Sequence, residues 1–506
     1  MDDKNRVIHL YCQLMVKYKG TALLQDLRGT LHWDSEVMMP KNGSSQRAEE
    51  LALLSGLIHE RQTDPELGRL LEAIKGLQGF DSLSFPQKRN LELLQRDYDR
   101  ASKIPPAFSR ELAKHSALAT EKWKEAKARG DFSLFREALQ QMVELKKREA
   151  FYLHPERDPY DVLLDIFERG FSTCLYDKLF AEVKQGLLPL IESCLEASHQ
   201  PDESLLLRKC PLKFQRAIAH HIVQFFGYDF AGGRIDETVH AFSSGYYDDV
   251  RLALNYDENN FLDSFTAVMH ELGHGLYAKN LPQDFRYLPI GQGCSAAMDE
   301  GQARLLENTI GRSPAFWAFY LPKFKRLVGG LFDDLALEPF VQAVNKVHPS
   351  KIRVLADPLT YSFHILLRYE LERELFADRL TVAELPVFWD EKMNDYLGLT
   401  IDDDSEGVLQ DIHYAWGLFG YFPTYALGSY YTAQLLSALA RDLPNWEEQL
   451  RMGYFKEILS WFRVNVWSQG NLYDPLDLLK KVTGKEFSVK YFIERARQKY
   501  SKIYGF

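Results

Sequence analysis

The residues best placed to do chemistry are His270-Glu271-Leu272-Gly273-His274. On a helix, positions i and i+4 lie one above the other on a single face. Two imidazoles so placed can bind one cation, each at about 2.0–2.1 Å. Glu271 is turned about 100° from His270. That brings its carboxylate within reach of a water beside the cation while leaving it out of the ligand set. The chemistry on offer is metal-assisted hydrolysis, with a Lewis acid to polarise a carbonyl and Glu271 to move a proton. The bland alternative is a pair of ordinary histidines on a helix face.

A catalytic zinc of this kind needs a third protein ligand and keeps one position open. The metzincin solution requires glycine at 277 and histidine at 280; Tyr277 and Asn280 stand there, which excludes that class. The usual alternative is a carboxylate from a second helix. The segment Asp299–Asn308 qualifies and follows a turn marked by Gly291 and Gly293. Spacing alone does not choose among Asp299, Glu300 and Glu307. Zinc is the default occupant of such a nitrogen and oxygen set, and cobalt or manganese would fit the same ligands.

These residues need helices to hold them, and most of the chain reads as helix. Apolar residues recur at three- and four-residue spacing over 261–276 (Phe261, Phe265, Val268, Met269, Leu272, Leu276) and through 131–168 (Phe132, Phe135, Leu139, Met142, Val143), the period of one face against a core. The best strand candidate is Val250–Asn255, just upstream of the histidine-bearing helix. Turn chemistry breaks the chain near Lys41-Asn42-Gly43, His199–Asp202, Ala231-Gly232-Gly233 and Asp402-Asp403-Asp404. No repeat or low-complexity linker divides the chain. The expected fold class is mainly α, with a small β element beside the 261–276 helix. Residues 1–506 are expected to form one unit, with two lobes around a groove as an allowed arrangement.

Bulk composition narrows the partners. The chain is 46% hydrophobic and 26% charged, with a formal net charge of −10. No basic excess recommends nucleic acid or an anionic membrane surface. The first residues carry charge throughout and show no signal-peptide h-region, and no run of some eighteen apolar residues suggests a membrane span. Five cysteines, odd in number and scattered, read as reduced thiols in a cytoplasmic protein. The adjacent His220 and His221 lack metal-ligand spacing and read as structural.

Beyond the metal motif, the chain resembles the carboxypeptidase Taq family of metallocarboxypeptidases, with the family's signatures in order. Trp33-Asp34, Met39-Pro40 and Arg47-Ala48-Glu49 match its N-terminal pattern. HPF corresponds to His240-Ala241-Phe242, DXRXT to Asp249–Ala253, and HEXXH to 270–274. HES/GQ corresponds to Asp299-Glu300-Gly301-Gln302, and IRXXAD to Ile352–Asp357. GXXQDXHW corresponds to Gly407–Tyr414 and is followed by Gly420–Tyr425. The resemblance implies Glu300 as third ligand, a helical zincin fold with a long active-site groove, a homodimer, and removal of C-terminal residues from peptides with broad specificity. Four motifs depart by one residue each, at Ala241, Ala253, Asp299 and Tyr414. None of these is a proposed ligand or base. Asp299, beside a ligand, can accept an N–H from His270 or His274 and strengthen it.

On this resemblance, further roles suggest themselves. His413, Tyr421 and Tyr425 are candidate donors to the developing oxyanion, with packing as the alternative for the tyrosines. Recognition of a terminal carboxylate suits the planar fork of arginine. Arg251 and Arg353 both lie inside motifs, with salt bridges to Asp249 or Asp357 as the structural alternative. His240 is either a groove residue or a core histidine. Rival readings are an endo-acting helical oligopeptidase and a non-catalytic peptide-binding protein. An aminopeptidase fits less well, since no Gly-x-Met-Glu-Asn segment is found.

Overall fold

The computed structural model describes residues 3–506. Helices dominate, and the β structure among the described residues is a single three-stranded sheet. The expected strand is there as its central member, β3 (Asp249–Leu254). It pairs parallel with β1 (Gly233–Glu237) and antiparallel with β2 (Phe242–Tyr246), giving the order β1-β3-β2. One edge of β2 is therefore left without a strand partner.

The metal-motif helix runs Phe261–Lys279. It starts where the side chain of Asn260 accepts a hydrogen bond from the Asp263 amide, satisfying one of the orphan donors of the first turn. Its apolar face packs on β3 on one side and on the helix Ala296–Arg304 on the other. Gly273 permits the second contact: a Cβ there would stand 2.4 Å from the Gln302 carbonyl oxygen. A second close approach joins Ala296–Arg304 to the long helix Phe422–Asp442. There a Cβ on Gly428 would meet the Glu300 Cγ at 2.7 Å. Both crossings need glycine, at Gly273 because backbone meets backbone and at Gly428 because the base of the Glu300 side chain and the Gly301 amide fill the space, and together they fix where Glu300 points.

The periodic stretch 131–168 is not one helix but two, Ser133–Leu153 and Pro159–Phe167. The break follows from Pro159, which cannot donate within a continuing helix. It sits at the first turn of the second helix, where Asp158 accepts from the amides of Tyr160 and Asp161. The other turn signals fall between elements, as at Lys41–Gly43, a single 3-10 turn.

Apolar burial forms one large cluster around the site helices and a smaller one between the first helix, Asp3–Val37, and the helices Pro65–Lys75 and Phe85–Lys103. A cavity of about 910 Å³ separates that N-terminal layer from β2, lined by Gln25, Arg28, Ser244 and Tyr246 among others. It shares Ser243–Tyr246 and Gln292 with a second cavity of about 330 Å³ beside His274 and Asp299. The two form one groove that follows β2 toward the histidines. All five cysteines are unpaired, and among the described residues no helix is long and apolar enough to cross a membrane.

Candidate metal centre

His270 and His274 project from one face of the Phe261–Lys279 helix, with their Nε2 atoms 3.2 Å apart. Glu300, on the helix Ala296–Arg304, brings Oε2 to 3.8 Å from His270 Nε2 and 3.7 Å from His274 Nε2. The three atoms form a nearly equilateral face of the size a tetrahedral cation with ligands at about 2.0–2.1 Å requires. Among the described residues this is the one group of three His, Cys, Asp or Glu side chains that converges in this way.

What surrounds the ligands fits the same purpose. Each imidazole turns its other nitrogen to a carboxylate: His270 Nδ1 to Glu307 Oε2 at 2.8 Å, and His274 Nδ1 to Asp299 Oδ1 at 3.0 Å. Donating from Nδ1 leaves the Nε2 lone pairs aimed at the shared point, and the carboxylates make the rings better donors to a cation. Burial works against positive charge on His274 and Asp299 favours it, whether a proton or a cation at Nε2 carries that charge. The three acidic positions that spacing left open thus all arrive at the site in different capacities. Of the two histidines open to it, Asp299 takes His274.

Glu307 reaches His270 because the helix widens. After Arg304 the backbone continues as a π turn, Leu305–Ile310, a form that gathers at functional sites. Arg304 joins the two acids, donating from Nε to Glu300 Oε1 at 2.7 Å and from Nη1 to Glu307 Oε2 at 3.0 Å. Burial opposes the charge on Glu307, but Arg304 and His270 hold its pKa down at about 2. Glu300 is lowered in the same way: burial acts against ionisation and Arg304 favours it. Arg304 was not singled out in the sequence, although its i+4 spacing from Glu300 was a usable signal.

Glu271 is buried one position along from His270. Burial raises its pKa, and the two imidazoles beside it oppose that rise. A carboxylate with an elevated pKa suits a group that must accept and later return a proton.

The other expected residues fall in two places. His413, Tyr421, Tyr425 and Arg353 come together. His413 Nε2 lies 3.1 Å from the Tyr425 hydroxyl, its ring stacks 5.9 Å from Tyr421, and the Arg353 guanidinium sits 4.9 Å over the Tyr425 ring. Burial lowers the His413 pKa to about 4, and Arg353 and Arg368 act in the same direction. The ring is therefore neutral near pH 7. Arg353 donates from Nη1 to the Tyr361 hydroxyl at 3.1 Å and from Nη2 to Asp411 at 2.8 Å. Its carboxylate partner is Asp411 rather than Asp357. Arg368, unremarked in the sequence, donates to the other Asp411 oxygen at 2.7 Å.

Arg251 and His240 lie apart from that cluster, on the sheet. Arg251 makes a two-point pair with Asp249, at 2.8 and 2.7 Å, and stacks 4.3 Å over Trp33. His240 is exposed in the turn between β1 and β2. His220 and His221 pack against aromatic rings, Phe230 and Phe225. Of the motif departures, Tyr414 is buried between Phe419 and Phe422, and Ala253 is buried in β3.

Comparison with known proteins agrees with this geometry. The carboxypeptidase Taq (M32) metallopeptidase family matches residues 13–500. The chain is 40% identical over 475 residues to carboxypeptidase 1 of Bacillus subtilis, covering 94% of each. It is 37% identical to thermostable carboxypeptidase 1 of Thermus thermophilus, over 98% of this chain and 99% of that one. Among solved structures, the M32 carboxypeptidase from Deinococcus radiodurans superposes with a TM-score of 0.95 at 32% identity, covering 98% of this chain and 100% of its own.

Proposed function

The chain belongs to the carboxypeptidase Taq (M32) family and is a metallocarboxypeptidase, and on that premise we propose which of its residues do the work. His270, His274 and Glu300 hold one divalent cation, zinc by default. The observation that carries this reading is the convergence of their ligand atoms while both Nδ1 atoms are held by acids. When bound, the metal supplies Lewis acidity, lowering the pKa of a water and polarising the scissile carbonyl.

The protein's own groups do the rest. Glu271 takes the proton of the attacking water and hands it to the leaving amine. Its burial supports that role, because a carboxylate drawn out of water binds a proton more readily. As the carbonyl oxygen gains negative charge, the Tyr425 hydroxyl donates a hydrogen bond to it while accepting from the His413 Nε2–H, with Tyr421 bracing their rings. Arg353 takes the substrate's terminal carboxylate. Its nearness to Tyr425 supports this, and Asp411 fixes the guanidinium in place. Arg251 and His240, on the sheet side, meet residues upstream of the scissile bond. The unpaired edge of β2 offers main-chain hydrogen bonds to an extended peptide in the groove. The unpaired cysteines suit a reducing cytoplasm, and family resemblance carries the homodimer.

Digestion of an unstructured peptide, followed by mass spectrometry, tests the reading. A free C-terminus should yield a one-residue ladder that chelator abolishes and added zinc restores. The same peptide blocked as a C-terminal amide should survive. Internal cuts, or equal cutting of the amide, would show an endo-acting enzyme instead.

A further inference from the structure

Behind the helix that carries Glu300 lies a half-enclosed cavity of about 70 Å³, set between the helices Phe422–Asp442 and Lys490–Tyr504. A water needs roughly 10–15 Å³ on this measure, so the space suits a few heavy atoms and excludes a peptide. Arg304, Arg495 and Lys499 form part of its wall. Arg304 has its own carboxylates, Glu300 and Glu307. The other two cations have none: among the described residues no carboxylate lies within ion-pair distance of Arg495 or Lys499. Arg495 instead packs over the Trp446 ring at 5.5 Å, and the Glu447 carboxylate acts on it only from beyond ion-pair distance, too weakly to offset its burial.

Two half-buried cations facing one cavity with no anion between them are costly, because desolvated like charges repel. Lys499 records the strain. Burial, with Arg312 and Arg495 nearby, pushes its ammonium pKa down to about 7. Asp357, the acid whose charge favours the Lys499 ammonium, is committed elsewhere. It accepts from the amides of His348, Leu359 and Thr360 and from the Thr360 hydroxyl. Ser429 adds a hydroxyl to the wall, and Leu436 and Phe492 supply an apolar floor.

We propose that this cavity is a binding site for one small anion, held by Lys499 and Arg495. A compact inorganic anion and a short-chain carboxylate share the chemistry it selects, a negative charge small enough for the space. The apolar floor would additionally take the tail of a carboxylate. The site is separate from the peptide groove: none of its lining residues borders the cavities along β2.

The test is isothermal titration of the zinc-loaded enzyme with sodium chloride, sodium sulfate or sodium butyrate, with sodium gluconate holding the ionic strength. Saturable binding near one anion per chain is expected in at least one arm, and that arm identifies the source. Lys499→Met keeps the length of the apolar stem, and Arg495→Gln keeps most of its side chain. Each should weaken the dissociation constant about tenfold or more, as loss of a charge-assisted hydrogen bond does. Arg497→Gln, an exposed position on the same helix, should bind as wild type does. No saturable heat in any arm would overturn the proposal. So would an Arg497→Gln loss as large as that of Lys499→Met, which would mean general charge attraction.

Discussion

Glu307 Oε2 stands 2.8 Å from His270 Nδ1, seven positions beyond Glu300, on a stretch of helix that has opened into a π turn. In a regular α-helix, residues seven apart lie two turns apart on one face. Glu307 would then point along the Glu300 direction about 10 Å further on. The extra residue in the π turn re-aims it, so that one continuous segment supplies both Glu300 and the acid held against His270. Arg304 clamps the two carboxylates and keeps both ionised beside each other.

Glu307→Gln should therefore weaken zinc by about 10–100-fold, the usual effect of removing an acid behind a metal-ligating histidine. Competition with a chromogenic chelator measures it. Asp299→Asn should cost less, because the Asp299 side chain is 46% exposed and solvent screens its charge. Equal affinities for wild type and Glu307→Gln would remove Glu307 from the metal centre.

Glu271→Gln separates proton transfer from metal binding. The amide keeps the shape of the carboxylate and cannot take a proton. We expect kcat to fall by about 10²–10⁴ while KM and zinc content stay near wild type. A variant that turned over normally would place the base elsewhere, and one that lost its zinc would make Glu271 a ligand.

Much of this could be read in the chain because the relevant signals are local or ordered. The imidazole pair follows from i, i+4 spacing, β3 from the short, largely apolar run Val250–Leu254, and the family, the helical fold and the carboxypeptidase activity from motifs in sequence order. What escaped depended on tertiary contact. The buried Arg368 is drawn inward by Asp411, 43 positions away, and no helical period marks such a residue. Glu168 reaches the site helix from 127 positions upstream. The break at Pro159 is hidden for a different reason: the apolar period continues across it, since both helices face the same core. Arg353 has Asp357 four positions away in its own motif, yet it pairs with Asp411, 58 positions downstream.

Glu168 yields the next prediction. Fully buried, its carboxylate accepts from the Ser295 hydroxyl at 2.9 Å, the Ala297 amide at 3.1 Å and the Tyr431 hydroxyl at 2.8 Å. It thereby ties the first turn of the Glu300 helix to the helix it crosses. Glu168→Ala leaves three donors without an acceptor, at about 1–3 kcal/mol each before relaxation. We expect a loss of several kcal/mol in urea unfolding, together with weaker zinc. Glu168→Gln should recover most of both, because its oxygen can take the amide while the two hydroxyls rotate to accept. A Gln variant as damaged as the Ala variant would show that charge, not hydrogen bonding, is what the helix requires.

Glu372 makes stability depend on pH. It too is fully buried. One oxygen accepts from the Gly420 amide at 2.7 Å and the Tyr160 hydroxyl at 2.9 Å, while the other makes no well-formed hydrogen bond and has the Tyr414 hydroxyl beside it. Burial pushes its pKa up to about 8 against the hydrogen bonds that favour the anion. Unfolded, the group titrates near 4.3. Between those values the folded state keeps a proton that the unfolded state releases. The stabilisation is thus complete below about pH 4.3 and is lost as pH rises toward 8. Over that window Glu372 contributes a fall of about 1.4 kcal/mol per pH unit. Glu372→Gln cannot ionise and its oxygen can still accept from Gly420, so its unfolding free energy should decline less steeply between about pH 5 and pH 8. Glu168, whose pKa burial raises to about 7, adds a slope of the same sign to both proteins and cancels in the comparison. Parallel wild-type and Glu372→Gln curves across that range would mean that Glu372 ionises in the folded protein as readily as in water.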